Sequence, residues 1–516
     1  MATNVVKSEF AEANPTRAYA GPAQLEGPNA RFTTQQFVRD VLFSNIPVPF
    51  QKLRSYLWLA FMTRALGADG FGAWSIFILA LSNATTFGTL NCGSSMMRFL
   101  SGRRGAPEVN QAFSTVLAMV GVAVSVVVVL LFLFSSRVTL FLFRSPHALI
   151  LTILLAVALP LDCAYEEMKN LLRARRLNQS WAFFSLSRLL PEIGATLAVA
   201  WWLRSVELVS WTYVAIGALS VAGGLAYLAF RHDVSFARPS IHVAVRYAKF
   251  GLPLLPGVLA SAISLGSDKY LVGYYLGLTQ VGIYSVCFTI SALTFFLIGP
   301  INDVLFPELS ALHDSGDIES FRRRFAGIQK FVLGFSIGGA AILATFPQQV
   351  LRLLASQEFI SGSTTLALLG VQGVFMAFVM LYAVILNVRL RVWSSTAFWL
   401  ASGALILFLD VVLIPRIGIE GAAVSQLIAT AGGAIVLIAI HWDLFSRTFE
   451  PKWLIHNGIA FVAVCLLPLV WQEASPDSWH STLKIATGFS IFLLCLFITG
   501  FIRLDGIRTM KGVATL

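Results

Sequence analysis

Apolar residues in this chain follow neither the two-residue alternation of a half-buried strand nor the narrow stripe of a surface helix. They come in runs of about 20 residues, the length an α-helix needs to cross the hydrocarbon core of a bilayer. Fourteen spans are predicted. The first six are 41–63, 73–97, 111–134, 148–170, 181–203 and 208–230. The next six are 250–274, 281–306, 328–353, 364–387, 394–414 and 419–441, and the last two are 454–471 and 482–502. The connections are too short for an inserted soluble domain, which takes at least ~50 residues. Membrane-barrel strands of about 10 alternating residues are not seen. The expected fold is an all-α polytopic membrane protein.

One stretch organises the rest. Residues 251–285 begin as an apolar helix with Pro253 and Pro256 near its start, and carry Asp268 and Lys269 inside an apolar run. The stretch continues as Leu276-Gly277, four residues, Gly282, one residue, Tyr284-Ser285. The same spacing occurs earlier, as Leu66-Gly67, then Gly72, then Trp74-Ser75, offset by 210 residues at every matched position. Chance recurrence at short turns is the plain alternative, but each copy follows the first span of its half. Six spans per copy is an even number, so both copies enter the membrane in the same direction, as parallel repeats. The divisions expected are a disordered tail 1–40, six-helix bundles 41–230 and 250–442, a basic linker 231–249, and a terminal helix pair within 443–516. A short amphipathic helix is expected near 33–41.

These residues carry a family resemblance. Arg64-Ala65-Leu66-Gly67 with Gly70-Phe71-Gly72, then Phe250-Gly251-Leu252-Pro253, Asp268-Lys269-Tyr270 and Val281-Gly282-Ile283-Tyr284-Ser285, resemble the polysaccharide and O-antigen flippases. These belong to the multidrug/oligosaccharidyl-lipid/polysaccharide exporter superfamily. Ile414-Pro415, Gly418 and Gly421-Ala422-Ala423 look like that family's late-helix turn. The resemblance spans roughly residues 40–440. It implies two bundles rocking around a V-shaped central cavity, and a lipid-linked oligosaccharide as cargo. The cargo would serve O-antigen, lipopolysaccharide or exopolysaccharide synthesis at a bacterial inner membrane. A polysaccharide polymerase or chain-length regulator is the implied partner, beside membrane lipid itself.

Composition agrees with a membrane chain: 57% hydrophobic, 12% charged, mean hydropathy +0.76. The net charge of +11 could suggest nucleic acid, but its distribution argues against that. With the N-terminus cytoplasmic, 26 of the 37 Lys and Arg fall in inside regions and 7 outside, which places both termini inside. The N-terminal 40 residues lack a charged stretch followed by an apolar core, so no signal peptide is read there. Cys92, Cys163, Cys287, Cys465 and Cys495 all sit in apolar runs without metal spacing and read as small buried hydrophobes. No metal or cofactor is expected.

Ionisable residues inside spans are the candidates for chemistry, because a central charge costs about 2.5–3.5 kcal/mol on insertion scales. Arg54 lies in mid-span 1 and shares a face with Trp58 and Phe61; its planar fork suits a diphosphate. Pairing with an acid of another span, or snorkelling past Pro47 and Pro49, would explain it equally. Lys52 is about 200° away on the helix. Arg188 and Glu192 stand at i, i+4 around Pro191, either as an intrahelical ion pair or as a cavity cation and a proton-binding acid. Asp162 is near mid-depth of span 4, whereas Glu166, Glu167 and Lys169 are expected at its solvated inner end. Asp268 and Lys269 read as a gate or coupling pair, with Asp268 expected to touch the other half. Asp303 reads as a helix-end residue. Gly67, Gly72, Gly277 and Gly282 read as turn residues. The substrate-binding set is therefore Arg54, Lys52 and Arg188, and the coupling or gating set Asp268, Lys269, Asp162 and Glu192, around a basic cavity.

No Walker A, HExxH, GxSxG or Rossmann pattern stands in a fitting context, so an ATPase is not indicated and the chain does not read as an enzyme. Alternatives stay open. A multidrug exporter of the same superfamily would carry an acidic rather than basic cavity. A membrane polysaccharide polymerase or ligase would carry a large outside loop, which is lacking. A component that only scaffolds polysaccharide assembly is the third.

Overall fold

Gly67 folds the first long helix in two. In the computed structural model, α1 runs Pro47–Gly88, but Gly67 has φ 69° and ψ −174°, a conformation that L side chains adopt only with strain. The first two predicted spans lie on either side of it. Gly277 (φ 88°, ψ 175°) and Gly418 (φ 67°, ψ −147°) repeat the same backbone. The 210-residue spacing thus marks two copies of one turn, and the Ile414–Ala423 fragment contains a third.

The structure describes residues 47–100, 105–264, 266–389, 392–470 and 484–494 apart from 493. The predicted tail 1–40, the helix near 33–41, Arg103, Arg104, Arg391, Cys495 and most of the last span lie outside the described residues. Every regular element among them is helical. After α1 come α2 (Cys92–Leu100), α3 (Ala106–Leu133), α4 (Ser135–Phe143), α5 (Leu149–Ala174), α6 (Asn178–Leu203) and α7 (Val206–His232). The second half holds α8 (Ile241–Gly251), α9 (Leu255–Ser264), α10 (Ser267–Leu276), α11 (Leu278–Ser291), α12 (Ile298–Asp314) and α13 (Ile318–Thr345). It ends with α14 (Pro347–Leu354), α15 (Ser363–Val388), α16 (Val392–Ile417), α17 (Ile419–Ile440), α18 (Trp442–Thr448) and α19 (Pro451–Val470).

Eleven described helical stretches are long and apolar enough to cross a membrane, α1 being counted once although it holds two spans. The chain is a multi-pass membrane protein. Two predicted boundaries shift. Helix α8 begins at Ile241, inside the expected 231–249 linker, and span 7 is broken into α8, a 3₁₀ turn at Leu252–Leu254, α9 and α10. Pro253 and Pro256 stand at that break, where each removes a backbone donor. Span 8 is likewise interrupted, by a 3₁₀ turn at Ala292–Phe295, before α12.

The largest apolar core joins the two halves. It contains Trp58, Trp74 and Phe77 of α1 together with Ile283 and Tyr284 of α11 and Phe359. Trp58 and Trp74 meet edge to face at 5.3 Å between ring centroids. A second core, around Phe325 and Tyr382, lies within the second half.

The halves cross where α1 meets α11. A Cβ on Gly72 would lie 2.0 Å from the Leu278 carbonyl oxygen, and one on Gly282 would lie 2.0 Å from that of Ala68. Gly72 and Gly282 are therefore not turn residues: they sit within helices and let two backbones touch. The same end carries further links. The Thr279 hydroxyl donates to Asp69 (3.3 Å), the Ala68 amide to Glu358 (3.1 Å), and Arg64 to the Leu353 carbonyl (2.8 Å). Arg144 donates to the Tyr274 carbonyl. This glycine end of the molecule is closed.

Candidate functional site

From the opposite, Lys/Arg-rich end a cavity of about 520 Å³ runs into the N-terminal half. The stretch of α1 from Ile78 to the Asn91 turn lines one wall, and Gln51 and Arg54 reach it from the first span. Helix α5 contributes Asp162, Tyr165, Glu166, Lys169 and Asn170; α6 contributes Ser185, Arg188 and Glu192; α7 contributes Tyr213. From the second half come Leu255 and Val258 of α9. Ile78 is six residues from Gly72, so the cavity stops about 9 Å short of the glycine crossing at 1.5 Å per residue.

Four residues picked out by sequence meet at the blind end, from three helices. Arg54 Nη1 donates to Glu192 Oε1 at 2.8 Å, and its guanidinium lies 4.7 Å from the centre of the Trp58 ring. Arg188 Nη2 donates to Asp162 Oδ1 at 2.5 Å, and Arg188 Nε lies 3.3 Å from Glu192 Oε2. The Tyr213 hydroxyl donates to Asp162 Oδ2 at 2.8 Å. Trp58 Nε1 donates to the Thr196 hydroxyl at 3.1 Å, one turn beyond Glu192. The charges are thus paired, as buried charges must be. The expected intrahelical pair of Arg188 and Glu192 exists, but each residue also has a stronger partner on another helix.

Several expectations need correcting. The cavity is not basic: Arg54, Arg188 and Lys169 face Asp162, Glu166 and Glu192, three cations to three carboxylates. Lys52 is exposed and does not line it; its ammonium lies 5.9 Å from the Phe296 ring of the second half. Phe61, seven residues on along the Arg54 face, is exposed and meets Trp201; it does not line the cavity. Glu167 is not at a solvated end but fully buried, because it turns away from the cavity that Glu166 and Lys169 share. The hydrogen bonds to the Asp268 side chain come from its own half and not, as expected, from the other half. Asp268 is buried, accepting from the Tyr284 hydroxyl and from Gln426 Nε2 (3.1 Å). Lys269 reaches over the Phe288 ring at 4.9 Å. The side chain of Asp303 lies outside the described residues.

Sequence reasoning missed other members. Asp410 of α16 is fully buried near Asp268 and Ser425, giving the second half a buried carboxylate pair of its own. An acid in the run Leu405–Leu413 is the kind of signal that found Asp268. Ser82, Thr85, Thr86, Thr89, Asn91 and Asn170 form a hydroxyl and amide wall in the cavity. Single hydroxyls in an apolar helix carry no such signal, since they can bond their own backbone. The described cysteines are free, and Cys92, Cys163 and Cys287 are buried.

A family model described as polysaccharide biosynthesis protein matches residues 61–362, which include both copies of the glycine turn and three of the four residues at the blind end, Asp162, Arg188 and Glu192, with Arg54 just before it. The chain belongs to the polysaccharide biosynthesis protein family. Among curated proteins, it is 26% identical to the probable flippase AglR of Haloferax volcanii over 218 residues, 40% of this chain and 44% of that one. It is 25% identical to the uncharacterized membrane protein MJ1068 of Methanocaldococcus jannaschii over 274 residues, 52% of each. The chain thus spans about half the length of the curated relatives it matches. Among solved structures, the lipid II flippase MurJ in an inward closed conformation superposes with a TM-score of 0.70 at 15% identity. That match covers 91% of this chain and 100% of that one. An inward-facing multidrug resistance MATE family transporter of the MOP superfamily gives 0.65 at 13% identity, covering 79% and 98%. The fold of this family member is that of the MOP transporters, and the relatives and neighbours with a named activity are flippases and transporters rather than enzymes.

Proposed function

We propose that this protein flips a polyprenyl-diphosphate-linked oligosaccharide across the membrane for cell-surface polysaccharide export, by alternating access. The observation that carries the reading is the cavity itself. An arginine pair stands at its blind end and a wall of hydroxyls and amides leads to it, inside a bundle that is otherwise apolar. Arg54, with Arg188 behind it, would hold the diphosphate, for which a guanidinium fork is suited. Ser82, Thr85, Thr86, Thr89 and the two asparagines would bond sugar hydroxyls, and the polyprenyl chain would remain in lipid. The glycine end would part as the basic end closes. The buried Asp268 and Asp410 would bind and release a cation or proton during the cycle. The positive-inside count supports cytoplasmic termini, and the family resemblance supports a bacterial inner membrane as the site of action.

The test is a deletion strain complemented with wild type, Arg54→Ala or Arg54→Lys. The deletion should lose surface polymer and accumulate the lipid-linked repeat unit on the cytoplasmic face, and Arg54→Ala should not restore export. Accumulation on the outer face instead would mean that translocation is intact and would point to polymerisation or assembly. The three carboxylates on the cavity wall favour a second reading, export of cationic drugs. That reading requires drug resistance to fall in the deletion strain while surface polymer is unchanged.

A further inference from the structure

We propose that Glu192 is a built-in counter-anion: it fills the anion seat of the empty carrier, and the arriving diphosphate displaces it. The inference rests on the flippase reading above and concerns how the same site changes hands. One carboxylate engages both arginines, through Oε1 to Arg54 (2.8 Å) and Oε2 towards Arg188 (3.3 Å). The side chain of Glu192 is 2% exposed and that of Arg54 is 30% exposed, so the arginine stands in the cavity with its partner behind it. The charged and titratable groups around Glu192 are Arg54 of α1, Arg188 of its own helix, Asp162 and Tyr165 of α5 and Tyr213 of α7. The Thr196 hydroxyl and the Trp58 indole close the back of the site.

Arg188 has a second acid, Asp162, which is itself held by the Tyr213 hydroxyl. For Arg54, the pairing seen is with Glu192. A carrier of this kind must return empty after each delivery. An arginine stripped of its anion would make that step carry a desolvated charge, which is costly in the membrane. With Glu192 in place the empty site is neutral. When a diphosphate arrives, it offers Arg54 a planar, bidentate acceptor and takes over the pairing. Glu192 then swings off Arg54 and keeps Arg188 as its partner. The arginine is paired in both directions of the cycle, by the protein on the way back and by the cargo on the way out.

Removing the charge of Glu192 should remove the competitor. The purified full chain in lipid nanodiscs is titrated with farnesyl diphosphate as a short prenyl-diphosphate probe. We expect Glu192→Gln to tighten binding by about tenfold or more, the scale of a close charge pair. Arg54→Ala should abolish binding, and adding Glu192→Gln to Arg54→Ala should restore nothing. A fixed carboxylate beside the seat would also tighten binding when neutralised, so the infrared readout below separates displacement from simple repulsion. If wild type binds, Arg54→Ala does not, and Glu192→Gln leaves Kd unchanged or weakens it, the counter-anion role is overturned while the diphosphate seat stands. If neither wild type nor Glu192→Gln binds the probe, the diphosphate seat fails and takes this inference with it. Infrared difference spectra of the wild type cover the case of an unfolded variant. Probe binding should perturb a carboxylate stretching band, and an unchanged carboxylate region on saturation overturns the displacement.

Discussion

Gly72→Ala puts a methyl group where two backbones touch. Its Cβ would lie 2.0 Å from the Leu278 carbonyl oxygen and 2.9 Å from the carbonyl carbon, whereas ordinary contact begins at 3.4 Å. Helices α1 and α11 would have to part by about 1.4 Å, because the opposing atoms are backbone and cannot move aside as a flexible side chain could. Overpacking of this kind costs typically ~1–3 kcal/mol. The cost falls on the form in which the glycine end is closed. The alternating access proposed above has a second form in which that end is open and the methyl group is free. The equilibrium should therefore move towards the open form by roughly 5- to 150-fold. The assay is a cysteine pair at Asp69 and Thr279, whose side chains are 3.3 Å apart, in a background with the five native cysteines replaced by serine. Oxidative cross-linking should drop at least about fivefold in Gly72→Ala, matching the lower bound above. Equal cross-linking in the folded fraction of Gly72→Ala and its parent would refute the reasoning. It would mean that the crossing is static packing and that the halves do not part there.

Other outcomes follow from the same structure. If the two acids couple the proposed cycle, Asp268→Asn and Asp410→Asn should each slow export in the complementation assay without lowering protein level, although both lie outside the polar cavity. Glu167→Gln, which keeps the shape of a buried side chain beside Asn170, should leave the thermal midpoint unchanged or raise it. Glu167→Ala should cost about 0.5–3 kcal/mol through the cavity left behind. Near the Lys/Arg-rich end, partial burial pushes Asp443 up, but its ion pair with Arg389 at 3.1 Å outweighs this and holds its carboxyl below the usual aspartate range. The pair should therefore stabilise above pH ~4, and the effect should fade as pH falls through the lowered Asp443 value. Because Asp443 is largely exposed, the difference in thermal stability between wild type and Arg389→Ala should stay below about 1 kcal/mol.

The elements of this fold were legible because each span is a long apolar run with a glycine or a charged turn at its ends. The repeat was legible because Gly67 and Gly277 need a backbone that few other residues adopt. Arg54, Asp162, Arg188 and Glu192 stood out for a related reason: a charge in an apolar run is rarely idle. What the sequence could not show is who faces whom. A helix packed between lipid and protein is apolar on both sides, so its periodicity says little about which face meets a neighbour. That is why Lys52 and Arg54 could be told apart in angle but not in destination, and why the partners of Asp268 were expected in the wrong half. Gly72 and Gly282 were noticed through their spacing, but their contact depends on two helices crossing, which no local pattern encodes.

The glycine crossing is reciprocal. Gly72 meets the carbonyl of Leu278, and Gly282 meets the carbonyl of Ala68, the position 210 residues before Leu278. Asp69 meets Thr279, again its own counterpart. A contact that maps onto itself when the two copies are exchanged is isologous, the kind that two identical chains form about a two-fold axis. A single ancestral unit corresponding to one copy could make it as a homodimer, before any gene fusion. Fusion would then free the two copies to diverge, so that one holds the polar cavity and the other a buried pair of acids.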